Sequence, residues 1–112
     1  MLTNMDSMIR AELDKLKGLI IGAVPVEEIY LFGSCAYGKP HKDSDLDLFV
    51  VLKDDVQLRN IDASILIRTA ICEQQSMPLD LIVMKKSHYL ERKTAPTLER
   101  KIAREGILIY AA

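Results

Sequence analysis

Three aspartates stand at positions from which they could act together. Asp45 and Asp47 lie at the amino end of the apolar run LDLFVVL, and Asp80 is the only polar residue of a second run, LDLIVM. Side chains of a strand alternate between its faces with a rise of about 3.3 Å per residue, so Asp45 and Asp47 point the same way with Cα atoms roughly 6.5 Å apart. If the two strands are neighbours, the three carboxylates share one pocket.

Carboxylates held this close repel one another, and removing them from water adds to the cost. A divalent cation removes the conflict, and hard oxygen ligands suit Mg²⁺ or Mn²⁺. Two such ions about 3.5–4 Å apart are the usual arrangement for phosphoryl and nucleotidyl transfer. An Asp-x-Asp pair alone is a weak signal, because acids are common at solvated strand starts; Asp43, in turn-like sequence, is interpreted as solvated.

A glycine–serine element precedes the aspartate pair. Gly33 follows the apolar segment VEEIYLF and lets the backbone turn sharply or approach another group closely. Ser34 suits the N-cap of a short helix, and the free N–H groups of a helix start attract phosphate. The element therefore predicts an anion cradle beside the metal pocket, although taken alone it favours an ordinary strand–turn–helix with a structural cap.

The elements that must position these residues alternate between helix and strand, which predicts one α/β layer domain over residues 1–112. The central run LDLFVVL is apolar on both faces, as in the middle of a covered sheet. We expect strands at 26–32, 46–52 and 79–84 and a last strand ILIY. A first helix should run from a Thr3–Asp6 capping box to about Gly22, followed by helices at 55–74 and at about 95–105 and by a short helix capped by Ser87. The helix at 55–74 should carry Leu58, Ile61, Ile65 and Cys72 on one side.

Composition limits the class of protein further. The formal charge of −1 gives no basic excess for general nucleic-acid binding. No apolar run approaches the roughly 20 residues needed to cross a bilayer, and the first residues lack a signal-peptide pattern. Cys35 and Cys72 are interpreted as buried, reduced thiols. These features predict a cytoplasmic protein without membrane contact.

The joint pattern FGSCAYG, DSDLDLFVVL and PLDLIV resembles the minimal nucleotidyltransferases of bacteria and archaea, in the superfamily typified by DNA polymerase beta. The resemblance covers nearly the whole chain, because the leading helix and the closing EGILIY also look like that family. It implies a mixed β-sheet packed with helices. It also implies a metal-dependent transfer of a nucleoside monophosphate, AMP from ATP being the expected case, to an acceptor hydroxyl.

The resemblance assigns roles to matching positions. Asp45 and Asp47 would bind the Mg²⁺ or Mn²⁺ ions that hold the triphosphate. Asp80 would complete the metal site nearest the acceptor and help to activate its hydroxyl. Gly33 and Ser34 would contact the triphosphate tail.

One position departs from the family pattern, and the motifs do not identify the partner. Tyr37 stands where many relatives have arginine, and a tyrosine cannot neutralise phosphate. We expect a chain of this length to have no spare domain to grip an acceptor, and we therefore expect a partner protein or a homo-oligomer. The resemblance suggests a HEPN-type helical partner in a toxin–antitoxin pair.

Two other functions compete with the enzyme. One is a catalytically silent subunit that masks the HEPN-type partner, which the three intact aspartates disfavour. The other is a phosphoacceptor receiver domain. Receivers place their acids at the carboxyl ends of strands, whereas Asp45 and Asp47 precede theirs.

Overall fold

The computed structural model describes residues 7–33, 45–55 and 57–112. Within these ranges four strands form one mixed sheet in the order β3-β2-β1-β4, accompanied by four helices. Nowhere in these ranges is a helix both long and apolar enough to cross a membrane. The elements in chain order are α1 (Ser7–Ala23), β1 (Val26–Phe32), β2 (Leu46–Leu52), α2 (Asn60–Ile71), β3 (Leu79–Lys85), α3 (Lys86–Arg92), α4 (Leu98–Glu105) and β4 (Ile107–Ala111).

The predicted α/β architecture with a mixed sheet is confirmed. Strand β1 pairs antiparallel with β2 and β4, and β2 pairs parallel with β3. Strand β2 is therefore central, and every residue of it except Asp47 is buried. This placement explains why β2 is apolar on both faces, since each face is covered by helices.

The two faces of the sheet carry separate cores. The larger core joins α1 and α2 to one face and includes Leu16, Ile67 and Leu48. On the other face, Phe49 packs against Tyr89 of α3, with ring centroids 5.2 Å apart, and Ile102 of α4 joins the same cluster. Asp47 is on this second face, because side chains alternate along β2.

Several boundaries differ from the sequence-based expectation. Helix α2 spans Asn60–Ile71 rather than 55–74, and α4 begins at Leu98, where the Thr97 side chain accepts a hydrogen bond from the Arg100 N–H. Ser87 does not cap α3, because the helix begins at Lys86. The Ser87 N–H instead donates a hydrogen bond to Asp54 Oδ1 at 3.0 Å. The expected capping box at Thr3 and Asp6 lies outside the described residues.

The orientation of α2 overturns a further expectation. Ile61 and Ile65 are 58% and 57% exposed, while Ala63, Ile67 and Ile71 are buried. Helix α2 carries apolar residues on two sides, and only the packing against α1 and β3 selects which side is buried. Cys72, the C-cap residue of α2, has an exposed thiol, so the expectation that it is buried was wrong. Cys35 lies outside the described residues.

Candidate active site

The aspartates of two neighbouring strands lie side by side. In the parallel β2–β3 pair, Asp47 is the register partner of Asp80. The start of this pair is fixed by the Leu46 N–H, which donates to the Pro78 carbonyl at 3.0 Å. The expected adjacency of the two strands is therefore found. Asp47 is half-buried, and Asp80 is exposed at the sheet edge.

The electrostatics of Asp47 reflect this crowding. Burial raises the pKa of Asp47 to about 6, and the nearby charge of Asp80, a hydrogen bond with Asp80 and the charge of Asp45 act in the same direction. In the described part of the chain, neither Asp47 nor Asp80 forms an ion pair with a basic side chain. The Asp47–Asp80 pair thus carries negative charge that the described basic residues do not neutralise by direct ion pairing.

Gly33 closes the site on the β1 side. Its φ of +74° lies in the left-handed region, and an added Cβ would lie 2.1 Å from Asp47 Oδ2. The preceding residue, Phe32, is the register partner of Asp47 across the antiparallel β1–β2 pair. Glycine is needed here both for the turn and because the carboxylate occupies the space of a side chain. Ser34 and Tyr37 lie outside the described residues.

Asp45 takes a different position from the other two acids. It is exposed and precedes β2, and it influences Asp47 through its charge. Among the residues that the structure describes, no group of three or more Asp, Glu, His or Cys side chains is arranged to hold a metal ion. Two of the three predicted acids are therefore brought into direct contact, and Asp45 stands at the rim.

Sequence reasoning missed a buried acid that supports the site. Glu12 of α1 is 3% exposed and accepts hydrogen bonds from the Ser76 N–H at 2.7 Å and the Ser76 hydroxyl at 2.6 Å. Burial raises the pKa of Glu12, but the hydrogen bonds from Ser76 and the Lys15 ammonium outweigh it, so that the pKa is lowered overall. Glu12 therefore anchors the loop that leads into β3 and Asp80. Its signal was an acid among the apolar positions Ile9, Leu13 and Leu16 of α1.

A surface groove lies on the α1 side of the sheet and involves none of the predicted site residues. It is lined by Arg10, Leu13, Asp14, Lys17 and Ile109. His88 is exposed on α3. Neither feature adds a group to the carboxylate pair.

Comparison with solved structures identifies proteins that share this fold. A mutant form of the toxin–antitoxin MntA-HpeT superposes with a TM-score of 0.62 at 22% identity, over 88% of this chain and 73% of that chain. A toxin–antitoxin structure with AMP-PNP gives a TM-score of 0.61 at 22% identity, over the same shares of 88% and 73%. A proposed nucleotidyltransferase from Sulfolobus solfataricus gives 0.58 at 23% identity, over 95% of this chain and 88% of that chain. At this level of identity the similarity establishes the fold alone. No protein of curated function matches the chain in sequence.

The sequence resemblance to nucleotide-transferring enzymes implies a mixed sheet. The sheet found here brings Asp47 and Asp80 together beside the Gly33 turn. The chain belongs to the Polymerase beta, Nucleotidyltransferase family, which its sequence matches over residues 14–112. It is accordingly an enzyme of the nucleotidyltransferase class.

Proposed function

We propose that this enzyme uses a divalent metal ion, Mg²⁺ or Mn²⁺, to transfer AMP from ATP to the hydroxyl group of an acceptor. The observation that carries the proposal is the register pairing of Asp47 with Asp80 in a chain of the nucleotidyltransferase family. Two adjacent carboxylates without a basic partner among the described residues form a site that favours a cation.

The donor set at this site fits a hard divalent ion. Asp47 and Asp80 offer carboxylate oxygens from adjacent strands, and Asp45 can add a third from the rim. Burial first, and then the nearby charges of Asp80 and Asp45, raise the pKa of Asp47, so its charged form lacks stabilisation that a cation would supply. When bound, the ion would neutralise phosphate charge and make the acceptor hydroxyl easier to deprotonate.

The side chains of the enzyme would then do the following. Asp80, exposed at the sheet edge, is open to the acceptor and can take the proton of its hydroxyl. The acceptor oxygen forms a bond to the α-phosphorus of ATP, and the bond from that phosphorus to the β-phosphate bridging oxygen breaks, which releases pyrophosphate. The backbone turn at Gly33, with Ser34 after it, would hold the triphosphate tail. Fixed positions for both reactants lower the entropic part of the barrier.

A protein acceptor is the version that the comparisons favour. Two proteins of similar fold are toxin–antitoxin structures, one of them with AMP-PNP. We therefore propose that this chain works as an antitoxin and that its acceptor is a HEPN-type partner protein.

An ATP substrate and the exposed thiol of Cys72 both favour the cytoplasm as the location. The catalytic domain is proposed to span residues 1–112, because Ile9, which precedes the matched region, is buried in the main core.

The second candidate is a catalytically silent subunit that masks its partner. The observation in its favour is that the described residues form no three-ligand metal group. The two candidates differ in their need for Asp80, because only the enzyme uses its carboxylate in the transfer reaction.

The test is a transfer assay with α-³²P-labelled ATP and Mg²⁺, with and without the candidate partner protein. We expect label on the acceptor with the native chain, none with Asp80→Asn and none with excess EDTA. Asp55→Asn is the matched control, because Asp55 is an exposed acid in the turn after β2. Label transfer that Asp80→Asn leaves unchanged contradicts the proposed site. Partner binding by the native chain without any label transfer supports the silent subunit.

A further inference from the structure

Glu12 of α1 makes a two-point contact with the segment that precedes β3. Its Oε2 atom accepts a hydrogen bond from the Ser76 N–H, and its Oε1 atom accepts one from the Ser76 hydroxyl. The Lys15 ammonium lies 3.0 Å from the same Oε1 atom. Because one bond reaches the backbone of Ser76 and the other its side chain, the contact fixes the orientation of this residue as well as its position. We call the two bonds the Glu12 clamp.

The segment held by the clamp leads directly to the carboxylate pair. Two residues after Ser76, the Pro78 carbonyl accepts the hydrogen bond from the Leu46 N–H, and Leu46 is the residue before Asp47. Two residues after Pro78 comes Asp80, the register partner of Asp47. The clamp is therefore connected to both aspartates through the short segment 76–80.

The start of β3 needs such a support. Among the described strands, β3 pairs with β2 alone, so a single ladder holds its first residues. Strand ends held in this way open more easily than the interior of a sheet. The carboxylates of Asp47 and Asp80 repel each other at this same end, which favours opening further. Helix α1 is a firm support, because Leu13 and Leu16, which follow Glu12, are buried in the main core.

We infer that Glu12 is a positioning residue of the proposed metal site, whose clamp on Ser76 holds the start of β3 against β2 and so keeps the Asp80 carboxylate beside that of Asp47. The inference rests on the proposed function, because it concerns the same carboxylate pair. Glu12 precedes residue 14, at which the family match begins, so membership of the family assigns it no role. Residues that orient metal ligands affect metal affinity although they do not bind the ion.

Three substitutions separate the clamp from general stability. Glu12→Gln replaces one of the two acceptor oxygens by an NH₂ group, which cannot accept a hydrogen bond. Ser76→Ala removes the hydroxyl bond and leaves the backbone bond, whereas Ser76→Thr keeps a hydroxyl group. Ile20→Val is the matched control, because Ile20 is fully buried in α1. It lies about 12 Å along the helix from Glu12, so its loss of a methylene lowers stability without touching the clamp.

The first test measures the Mn²⁺ affinity of the chain without ATP, from the electron paramagnetic resonance signal of the free ion. Glu12→Gln should raise the dissociation constant about 10-fold and Ser76→Ala about 3-fold, whereas Ser76→Thr and Ile20→Val should stay within about 2-fold of the native chain. A native chain that binds no Mn²⁺ overturns the proposed metal site. Native binding that Glu12→Gln leaves unchanged, or that Ile20→Val weakens equally, overturns the positioning role alone.

The second test measures amide hydrogen exchange in EDTA and needs no metal. The Leu46 N–H reports on the start of the β2–β3 pair, and the Val50 N–H reports on the middle of β2. Glu12→Gln should accelerate exchange at Leu46 about 10-fold more than at Val50, because it opens this end locally. Ile20→Val should accelerate both by the same factor. Equal acceleration at the two amides in Glu12→Gln overturns the inference whether or not the chain binds metal.

Discussion

Asp47 and Asp80 lie opposite each other across the parallel β2–β3 pair, while Gly33 turns the chain against the Asp47 carboxylate from β1. Asp47 of β2 thus lies between the acid Asp80 of β3 and the Gly33 backbone that follows β1. The geometry holds two negative groups together without a basic residue of the described chain to pair with either.

Asp47→Asn should stabilise the metal-free protein at pH 7. The folded-state pKa of Asp47 is raised to about 6, so the wild-type protein loses stability as the pH rises from about 4 to about 6, and the variant does not. A shift of about two pKa units corresponds to about 3 kcal/mol, which the partial exposure of Asp47 reduces to about 1–2 kcal/mol. Urea unfolding in EDTA at pH 4 and pH 7 measures the difference.

The control for this prediction is Asp55→Asn, which removes an exposed acid elsewhere and should change the free energy of unfolding little at either pH. If Asp47→Asn destabilises the protein at pH 7 instead, the carboxylate serves a structural role.

Divalent metal should stabilise the wild-type protein against unfolding. Mg²⁺ or Mn²⁺ at 100 times its dissociation constant would add about 2.7 kcal/mol. Asp47→Asn and Asp80→Asn should lose most of this gain, because each removes one of the carboxylates proposed to hold the ion. Thermal melts with and without the ion measure the effect without any substrate. An equal shift for wild type and both variants would place metal binding elsewhere.

Gly33→Ala should destabilise the fold by about 1–3 kcal/mol, because alanine strains the left-handed turn and its Cβ forces the Asp47 side chain to move. Gly18→Ala is the matched control: Gly18 lies in α1 with no atom within 4 Å of an added Cβ. That change should stabilise the helix by about 0.5–1 kcal/mol. Denaturant midpoints of the two variants should therefore move in opposite directions, and movement in the same direction would contradict the close approach at Gly33.

Glu12→Gln should cost about 1–3 kcal/mol at pH 7, because the buried carboxylate accepts two hydrogen bonds from Ser76. Because the pKa of Glu12 is lowered in the folded state, its carboxylate stabilises the fold at pH values above the ordinary pKa of 4.5. This stabilisation is lost as the pH falls below that value. The stability difference between wild type and variant should therefore shrink under acid conditions. A difference that stays constant from pH 7 to pH 3 would show that charge is not involved.

The sequence alone determined much of the local structure. The alternation along β2 placed Asp47 on the same face as Phe49, because the period of a strand is two residues. Apolar residues on both of its faces indicated a central strand, and glycine at position 33 indicated the sharp turn that the structure has. These features depend on a residue and its near neighbours, so a pattern can predict them.

Only the tertiary structure decided how distant segments meet. The register that places Asp80 beside Asp47, the contact between Glu12 and Ser76, and the choice of which apolar side of α2 is buried all join residues far apart in the chain. Several registers and both faces of α2 satisfy the same local pattern. The sum of packing contacts over the whole sheet selects among them, and no short stretch of sequence contains that sum.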